Sequence, residues 1–327
     1  MDVGQGKSMM SPADGSRSVC VVVAAMNAEK TIGRAVQSAL AQPETAELMV
    51  VDDGSTDGTA SRAEAANDGT GRLTVLRNSR NLGPAAARNR AIAASRSPIV
   101  TVLDSDDYWL PGRLGRLLAQ MSDRDFVADD LFRVVEGQEH QALETLMGPR
   151  SELPRDLTLA QFVLANVSRP GRSRQELGFL KPLMRRAFLD GHGLAYDETV
   201  RLGEDFILYA QALARGGRFR LVAPCGYVAV ERPTSLSGAH GAADLKALLV
   251  ACEALDREVG LDRASRRALG EHGRHLRGKL HHRRVLDVRR ACGLAAAIRA
   301  LFEDLEAIPH VLSATLSDKI NKVILQS

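Results

Sequence analysis

The fold is decided by one stretch, VCVVVAAMNAEKTIGRAVQSALAQPETAELMVVDDGS, which covers residues 19–55. It begins with an apolar, β-branched run, continues with apolar side chains at helical spacing, and ends with a second apolar run. Strands that are apolar on both faces are typical of a buried parallel sheet. The stretch therefore predicts a strand at 19–25, a helix at 29–42 and a parallel strand at 47–51, joined as a βαβ unit.

The alternation of predicted strands and helices continues along the chain and predicts a larger sheet. Helices are predicted at 56–66, 85–95, 111–121 and 203–214, and strands at 73–76, 99–103, 126–135 and 219–223. Much of 136–174 has no clear pattern, and helix formers dominate from residue 242 onward. We expect a flexible tail at 1–17, an α/β domain with an open, mostly parallel sheet at 18–240, and a helical region at 241–327.

Composition places the chain among soluble globular proteins. It has 327 residues, of which 45% are hydrophobic and 25% charged. Its four cysteines lie far apart, which favours neither a zinc site nor a disulfide framework and fits a reducing compartment. No apolar run is long enough to span a bilayer, and residues 1–17 lack the apolar core of a signal peptide. A cytoplasmic location is predicted.

The positive charge is concentrated near the C-terminus. Residues 262–290 contain ten Lys or Arg against three acidic residues, whereas the net charge of the whole chain is +3. Such a region could lie against anionic lipid at the inner face of the cell membrane, bind a partner or a second copy of the chain, or face solvent. Aromatic residues that could stack on bases are scarce in this region, which contains no Phe, Trp or Tyr, so nucleic-acid binding is not expected.

Acidic residues directly follow two of the predicted strands. Asp52 and Asp53 come after the strand at 47–51, and residues 104–107, with the sequence DSDD, come after the strand at 99–103. Ligands of open α/β sheets bind beyond the carboxyl ends of the strands. Carboxylates this close together repel each other, and Mg²⁺ or Mn²⁺ with substrate phosphates would relieve that repulsion. The alternative is an ordinary solvated turn that caps the next helix.

Three motifs together resemble those of the family 2 glycosyltransferases, which have the GT-A fold. They are VVDDGSTDGT at 50–59, NLGPAAARN at 81–89 and LDSDD at 103–107. The likeness extends from residue 19 to about residue 238, and the three motifs follow in order at matching separations. Within the family, the chain is most similar to bacterial exopolysaccharide enzymes of the succinoglycan type.

The resemblance implies an inverting, metal-dependent glycosyltransferase. The donor would be a UDP-sugar, with glucose the first sugar to try, and the acceptor a saccharide or a lipid-linked oligosaccharide. Asp53 would bind the base, the backbone at Ala25 and Asn27 would line the same pocket, and Arg88 would face the diphosphate. The full nucleotide-sugar site would consist of Ala25, Asn27, Asp53, Arg88, Asn89, Asp104 and Arg232.

The same resemblance assigns the metal site and the catalytic base. Asp104 and Asp106 match the Asp-X-Asp pair, and Asp106 is expected to coordinate the divalent cation, Mn²⁺ or Mg²⁺, directly. Asp205 matches the base that takes the proton of the acceptor hydroxyl as that oxygen attacks the sugar. The alternative for Asp205 and its neighbour Glu204 is a simple acidic helix start, where carboxylates are favoured in any protein.

Three further residues are placed on the acceptor side, namely Glu204, Lys181 and Trp109. For Lys181 the alternative is a solvated basic residue on the surface. Trp109 is the only tryptophan of the chain, and packing in the core or at its rim is the preferred interpretation.

Two other functions fit part of the pattern. A sugar nucleotidyltransferase would carry a Gly-rich basic loop after its first strand, which residues 24–27 lack. A catalytically inactive GT-A scaffold that binds proteins or sugars would have no chemical reason to keep Asp53, Asp104, Asp106 and Asp205. A dinucleotide-binding dehydrogenase is excluded, because no Gly-X-Gly-X-X-Gly follows the first strand. The sequence therefore favours the glycosyltransferase.

Overall fold

The computed structural model describes residues 17–138, 143–148, 152–168, 175–232, 241–258, 260–309 and 311. Its strands are β1 (Val19–Ala25), β2 (Thr45–Asp52), β3 (Leu73–Arg77), β4 (Ile99–Val102), β5 (Tyr108–Trp109), β6 (Phe126–Asp129), β7 (Phe132–Val135), β8 (Glu144–Thr145), β9 (Arg155–Leu157), β10 (Leu183–Arg185), β11 (Phe219–Val222) and β12 (Tyr227–Glu231). Its helices are α1 (Ile32–Leu40), α2 (Thr59–Ala65), α3 (Pro84–Ala94), α4 (Arg113–Leu118), α5 (Leu159–Ala165), α6 (Arg186–Gly191), α7 (Glu204–Ala214), α8 (Ala242–Asp256) and α9 (Arg263–Leu301). Short 3₁₀ turns lie at Leu177–Phe179 and Leu305–Ala307.

Within the described residues, the central sheet has eight strands in the order β3-β2-β1-β4-β10-β6-β11-β9. The first four run parallel to one another, as do β6 and β11, whereas β10 and β9 are antiparallel to their neighbours. Consecutive side chains Val21, Val22 and Val23 of β1 are all fully buried, so both faces of the sheet are covered. This confirms the mostly parallel α/β sheet of the GT-A fold.

The single strand predicted at 126–135 is wrong, because the chain forms two strands in different sheets there. β6 ends at Asp129, and β7 belongs to a second sheet of order β5-β12-β7-β8. The carboxylate of Asp129 accepts hydrogen bonds from Arg113 Nε at 3.1 Å and Nη2 at 2.7 Å, and from the Tyr227 N–H at 3.2 Å. Asp129 is therefore bonded to other elements of the core at the point where β6 ends, and two residues separate it from the start of β7 at Phe132.

The second sheet holds the acidic turn in place. β5, which directly follows residues 104–107, pairs antiparallel with β12, so that Tyr108 faces Val228 and Trp109 faces Tyr227. β12 in turn pairs with β7, the strand of the second sheet that follows β6 along the chain. The turn at the end of β4 is therefore anchored on both sides by strand pairing.

Most of the described residues beyond 241 are helical, as predicted. α8 packs against the start of α7, where a Cβ added at Gly203 would lie 3.2 Å from Leu248. Gly203 has φ +76°, a conformation that favours glycine and leaves room for that helix. Among the described helices, none is both long and apolar enough to cross a membrane. The predicted tail lies outside the described residues except for Arg17.

Candidate active site

The first part of the site lies where β1 and β2 end side by side. The Asp53 N–H donates to the Ala25 carbonyl at 2.8 Å. Asn27 has φ +50°, its N–H donates to Ser55 Oγ at 2.9 Å, and its Oδ1 accepts from the Thr56 N–H at 2.9 Å. Ala25, Asn27 and Asp53 are thus brought together at the carboxyl edge of the sheet, where the sequence predicted them.

The buried carboxylate of Asp53 fixes the loop that precedes α3. It accepts hydrogen bonds from Asn78 Nδ2 at 2.6 Å, from the Leu82 N–H at 3.0 Å and from the Gly83 N–H at 2.8 Å. Gly83 has φ +97°, and α3 begins at the next residue, Pro84. Asp53 therefore ties the first motif to the second, and its contact with a base stays a prediction.

A buried ionic cluster joins the acidic turn to the start of α7. We define the ionic cluster as Arg88, Asp104, Lys181, Glu204 and Asp205. Arg88 contacts Asp104 Oδ1 at 3.0 Å, Glu204 Oε1 at 2.6 Å and Asp205 Oδ1 at 3.1 Å. Lys181 Nζ lies 2.6 Å from Asp205 Oδ2 and 3.0 Å from Asp104 Oδ2. Both cations thus bridge the same two carboxylates.

Sheet topology explains why these residues meet. β10 pairs antiparallel with β4, so Lys181, two residues before β10, lies beside Asp104, two residues after β4. The carbonyl of Lys181 accepts a hydrogen bond from the buried Arg113 Nη2 at 2.7 Å, which fixes the backbone at that point. Asp205 and its neighbour Glu204 form the first turn of α7. Lys181 is only 4% exposed, so the solvated surface position does not apply to it.

The charges of the ionic cluster shift one another's pKa values. Burial would raise the pKa of Asp104, but Lys181 and Arg88 outweigh it and hold that pKa below its usual value. Burial also raises the pKa of Glu204, and the neighbouring charge of Asp205 adds to this against the pull of Arg88. Burial would lower the pKa of Arg88, yet its three carboxylate partners raise it well above the usual value. Arg88 is therefore a permanent cation of the site.

Asp107 binds the acidic turn to β12 of the second sheet. Its Oδ2 accepts a hydrogen bond from the Tyr227 hydroxyl at 2.8 Å, and its Oδ1 accepts from the Val230 N–H at 2.8 Å. The Tyr227 oxygen also accepts from the Asp104 N–H at 3.2 Å. Burial, followed by the charge of Asp104, raises the pKa of Asp107 to about 7. Asp107 thus maintains the shape of the turn, whereas Asp104 and Asp106 are paired with basic side chains.

Two arginines flank Asp106. Arg232 Nη2 lies 2.8 Å from Asp106 Oδ2, and Arg34 Nη2 donates to the Asp106 carbonyl at 3.2 Å. The guanidinium of Arg34 also stacks over the ring of Tyr108, 4.5 Å from its centroid. Burial, and then repulsion from Arg34, lower the pKa of Arg232. The structure therefore concentrates positive charge next to the carboxylate that was predicted to hold the metal.

The donor set of the acidic turn fits a divalent cation that shares its coordination with phosphate. The side chains of Asp104 and Asp106 are 34% and 36% exposed. Those of Glu204 and Asp205 are nearly buried. The described residues contain no group of three or more His, Cys, Asp or Glu side chains that could hold a metal by themselves. Mg²⁺ and Mn²⁺ commonly bind through one or two carboxylates together with substrate phosphates.

The side chains of two predicted site residues, Asn89 and Trp109, contact parts of the fold outside the ionic cluster. Asn89 is next to Arg88 in sequence, but its side chain bonds the backbone of Tyr196, with Nδ2 donating to the carbonyl at 2.9 Å and Oδ1 accepting from the N–H at 3.0 Å. Trp109 is buried, and the guanidinium of Arg113 lies 4.8 Å from its ring centroid. The preferred interpretation of Trp109 as a core residue thus agrees with its burial.

Two residues that shape the site, Arg34 and Tyr227, could not be identified from the sequence. Arg34 lies in α1, and no recognisable motif surrounds it. Tyr227 begins β12 and is distant in sequence from the turn that it supports. Only the folded chain shows that both contact residues 104–107.

Comparison with known proteins gives the family. The sequence model of glycosyl transferase family 2 matches residues 20–192. The succinoglycan biosynthesis protein ExoU of Rhizobium meliloti (strain 1021) is 48% identical over 304 residues, which cover 93% of this chain and 88% of that protein. A shorter match, 35% identical over 97 residues, covers 29% of this chain and 38% of the UDP-Glc:alpha-D-GlcNAc-diphosphoundecaprenol beta-1,3-glucosyltransferase WfaP of Escherichia coli.

Solved structures agree in fold. TarS 1-349 of S. aureus in complex with UDP-GlcNAc superposes with a TM-score of 0.61 at 21% identity, over 91% of this chain and 79% of that one. The mannosyltransferase PcManGT of Pyrobaculum calidifontis, in complex with GDP-Man and Mn²⁺, gives a TM-score of 0.56 at 18% identity, over 94% and 80%. With its three motifs, its matching family model and its extensive identity to ExoU, the chain belongs to glycosyl transferase family 2 and is a glycosyltransferase.

Proposed function

We propose that this glycosyltransferase moves glucose from UDP-glucose to a saccharide or lipid-linked oligosaccharide acceptor in exopolysaccharide biosynthesis. The transfer inverts the anomeric carbon and depends on Mn²⁺ or Mg²⁺. The observation that carries the proposal is the ionic cluster, in which Arg88 and Lys181 both bridge Asp104 and Asp205. The names of two relatives add support, since ExoU is a succinoglycan biosynthesis protein and WfaP uses UDP-Glc.

In this proposal the acidic turn receives the diphosphate end of the donor. Asp106 and Asp104 would hold the divalent cation, which would act as a Lewis acid and neutralise charge on the leaving diphosphate. Arg232 and Arg34 lie beside Asp106 and add fixed positive charge at the same place. The nucleoside end then lies along the carboxyl edge of β1 and β2, near Asn27 and Asp53.

Asp205 is the proposed catalytic base. It takes the proton of the acceptor hydroxyl while that oxygen forms a bond to the anomeric carbon and the bond from that carbon to the diphosphate breaks. UDP leaves with the electron pair of the broken bond. Lys181 at 2.6 Å and Arg88 at 3.1 Å hold the Asp205 carboxylate in one orientation, and the short hydrogen bonds limit its movement.

A turnover assay tests the proposal. Purified protein with Mn²⁺ is offered UDP-glucose, UDP-galactose and UDP-GlcNAc together with a saccharide acceptor, and UDP release and the anomeric configuration of the product are measured. We expect UDP-glucose to give the fastest release, and Asp205→Asn to lose transfer while it still binds UDP. Asp123→Asn, which changes a surface carboxylate that is 56% exposed, is the matched control.

Two results would contradict the proposal. Full transfer by Asp205→Asn would remove that residue from the role of base, and faster use of another UDP-sugar would overturn the donor. Failure to bind UDP at all would instead favour the inactive scaffold.

A further inference from the structure

The end of α9 folds back on itself to form a helical hairpin. Gly293 interrupts the helix with φ 82° and ψ −178°. His281 Nε2 nevertheless lies 3.2 Å from the Leu301 carbonyl oxygen. In a straight helix these two residues would be about 30 Å apart, at about 1.5 Å per residue. The helix before Gly293 and the helix after it are therefore antiparallel arms, and we define the C-terminal hairpin as residues 281–305.

The second arm presents an apolar outer face. Ala297 and Ala300 are buried on its inner side. Leu294 and Ile298 are 63% and 50% exposed on the other side, and Phe302, one turn further on, is 60% exposed. These three residues follow one another at intervals of four, so they share one side of the helix. We call them, together with the 68% exposed Leu305, the apolar stripe.

The concentration of apolar side chains in this stripe is unusual for the molecule. Nine large hydrophobic side chains are exposed within the described residues, and four of them lie in the twelve residues from 294 to 305. Scattered exposed hydrophobic residues need no explanation, but a contiguous row of large ones marks an interaction surface.

The charge around the turn of the hairpin indicates what that surface contacts. Residues 283–299 contain five arginines and one acidic residue, Asp287. Arg284, Arg289 and Arg290 are exposed, and the side chain of Arg290 is 72% accessible. The exposed Glu303 lies at the far end of the stripe, away from the turn. Exposed arginines beside large apolar side chains complement a surface that is anionic outside and apolar beneath, which is the chemistry of an acidic lipid bilayer.

We propose that the C-terminal hairpin is a membrane-docking device that inserts Leu294 and Ile298 into an anionic lipid surface while Arg289 and Arg290 bind the headgroups. The inference rests on the proposed function in one respect, because a lipid-linked acceptor would lie at such a surface. Docking through the hairpin would leave the α/β domain, with its donor site, outside the bilayer and next to the surface where such an acceptor lies.

Vesicle sedimentation tests the device independently of turnover. The full chain is mixed with vesicles of phosphatidylcholine alone or with one quarter phosphatidylglycerol, and the pelleted fraction is measured. We expect binding to the anionic vesicles and at least tenfold weaker binding of the Leu294→Gln/Ile298→Gln variant. Val250→Gln, at a 56% exposed position on α8, is the matched control and should bind like the wild type. Arg289→Gln/Arg290→Gln should lose most of the preference for the anionic lipid.

The outcomes separate this inference from the proposed function. UDP titration of the same preparations reports the donor site, so loss of vesicle binding with intact UDP binding bears on the hairpin alone. Equal binding of wild type and Leu294→Gln/Ile298→Gln would overturn the inference. So would a dimer by light scattering that the same variant dissociates, in the absence of vesicle binding, because the stripe would then contact a second copy.

Discussion

Replacement of Lys181 by methionine tests the ionic cluster most sharply. Methionine keeps an unbranched side chain of similar length, but it removes the charge that lies 2.6 Å from Asp205 and 3.0 Å from Asp104. The side chain is only 5% exposed, so water cannot easily replace the lost ammonium group. After the change, Arg88 alone remains to compensate three carboxyl groups.

The expected loss of stability follows from the geometry. At an effective dielectric constant of about 20, two unit charges at the observed 2.6 Å and 3.0 Å attract by about 6 kcal/mol each. Repulsion from Arg88 and the desolvation of the lysine oppose this gain, so we take the about 3–5 kcal/mol typical of a broken buried pair. With an unfolding entropy of about 2.1 cal/mol/K per residue, the 327 residues should show a fall in Tm of about 4–7 °C.

The assay is thermal unfolding followed by circular dichroism, together with the kinetics of UDP release. We expect Lys181→Met to unfold at the lower temperature and to lose about 10²-fold in kcat, since a preorganised charge at the base is gone. Lys181→Arg should recover part of both losses. Lys246→Met, at an exposed lysine of α8, is the matched control. A Lys181→Met variant with unchanged Tm and unchanged kcat would refute the bridging role.

Three further predictions concern the base, the metal and a buried carboxyl group. Asp205→Asn should lower kcat by about 10²–10⁴-fold with little change in UDP affinity, as measured by release assays and titration. Chelation with EDTA should stop transfer and added Mn²⁺ should restore it, while metal-independent activity would contradict the assignment of Asp104 and Asp106. Burial raises the pKa of Asp130 to about 6 from 3.8, so the folded state favours its neutral form. The contribution of Asp130 to the free energy of unfolding is therefore greatest below pH 4. It falls by up to about 3 kcal/mol as the pH rises through 6. Urea unfolding should show Asp130→Asn gaining stability relative to the wild type over that range, and parallel curves would contradict this.

The local sequence pattern was sufficient to predict the strands in the first half of the central sheet. The apolar run of β1 gave the observed bounds, 19–25, because a strand that is buried on both faces leaves a continuous signal. The motif residues that follow β1, β2 and β4 lie at the same edge of the sheet because parallel strands present their carboxyl ends there. Their convergence could therefore be predicted without knowledge of any side-chain contact.

The sequence could not show features that depend on distant partners. At the break between β6 and β7, Asp129 pairs with Arg113, which lies on another element and is distant in sequence. Lys181 resembled a surface lysine because its two partners, Asp104 and Asp205, come from other parts of the chain. The return of the C-terminal hairpin depends on one glycine in a long basic helix, Gly293, and helical periodicity continues on both sides of it.

Titration of UDP into the purified protein, with and without Mn²⁺, tests whether the acidic turn binds a nucleoside diphosphate through a divalent cation held at Asp106. We expect UDP to bind the wild type with heat that depends on Mn²⁺, Asp106→Ala to lose this dependence, and Asp123→Ala to keep it. Absence of UDP binding under either condition, or an Asp106→Ala variant as metal-dependent as the wild type, would contradict the account.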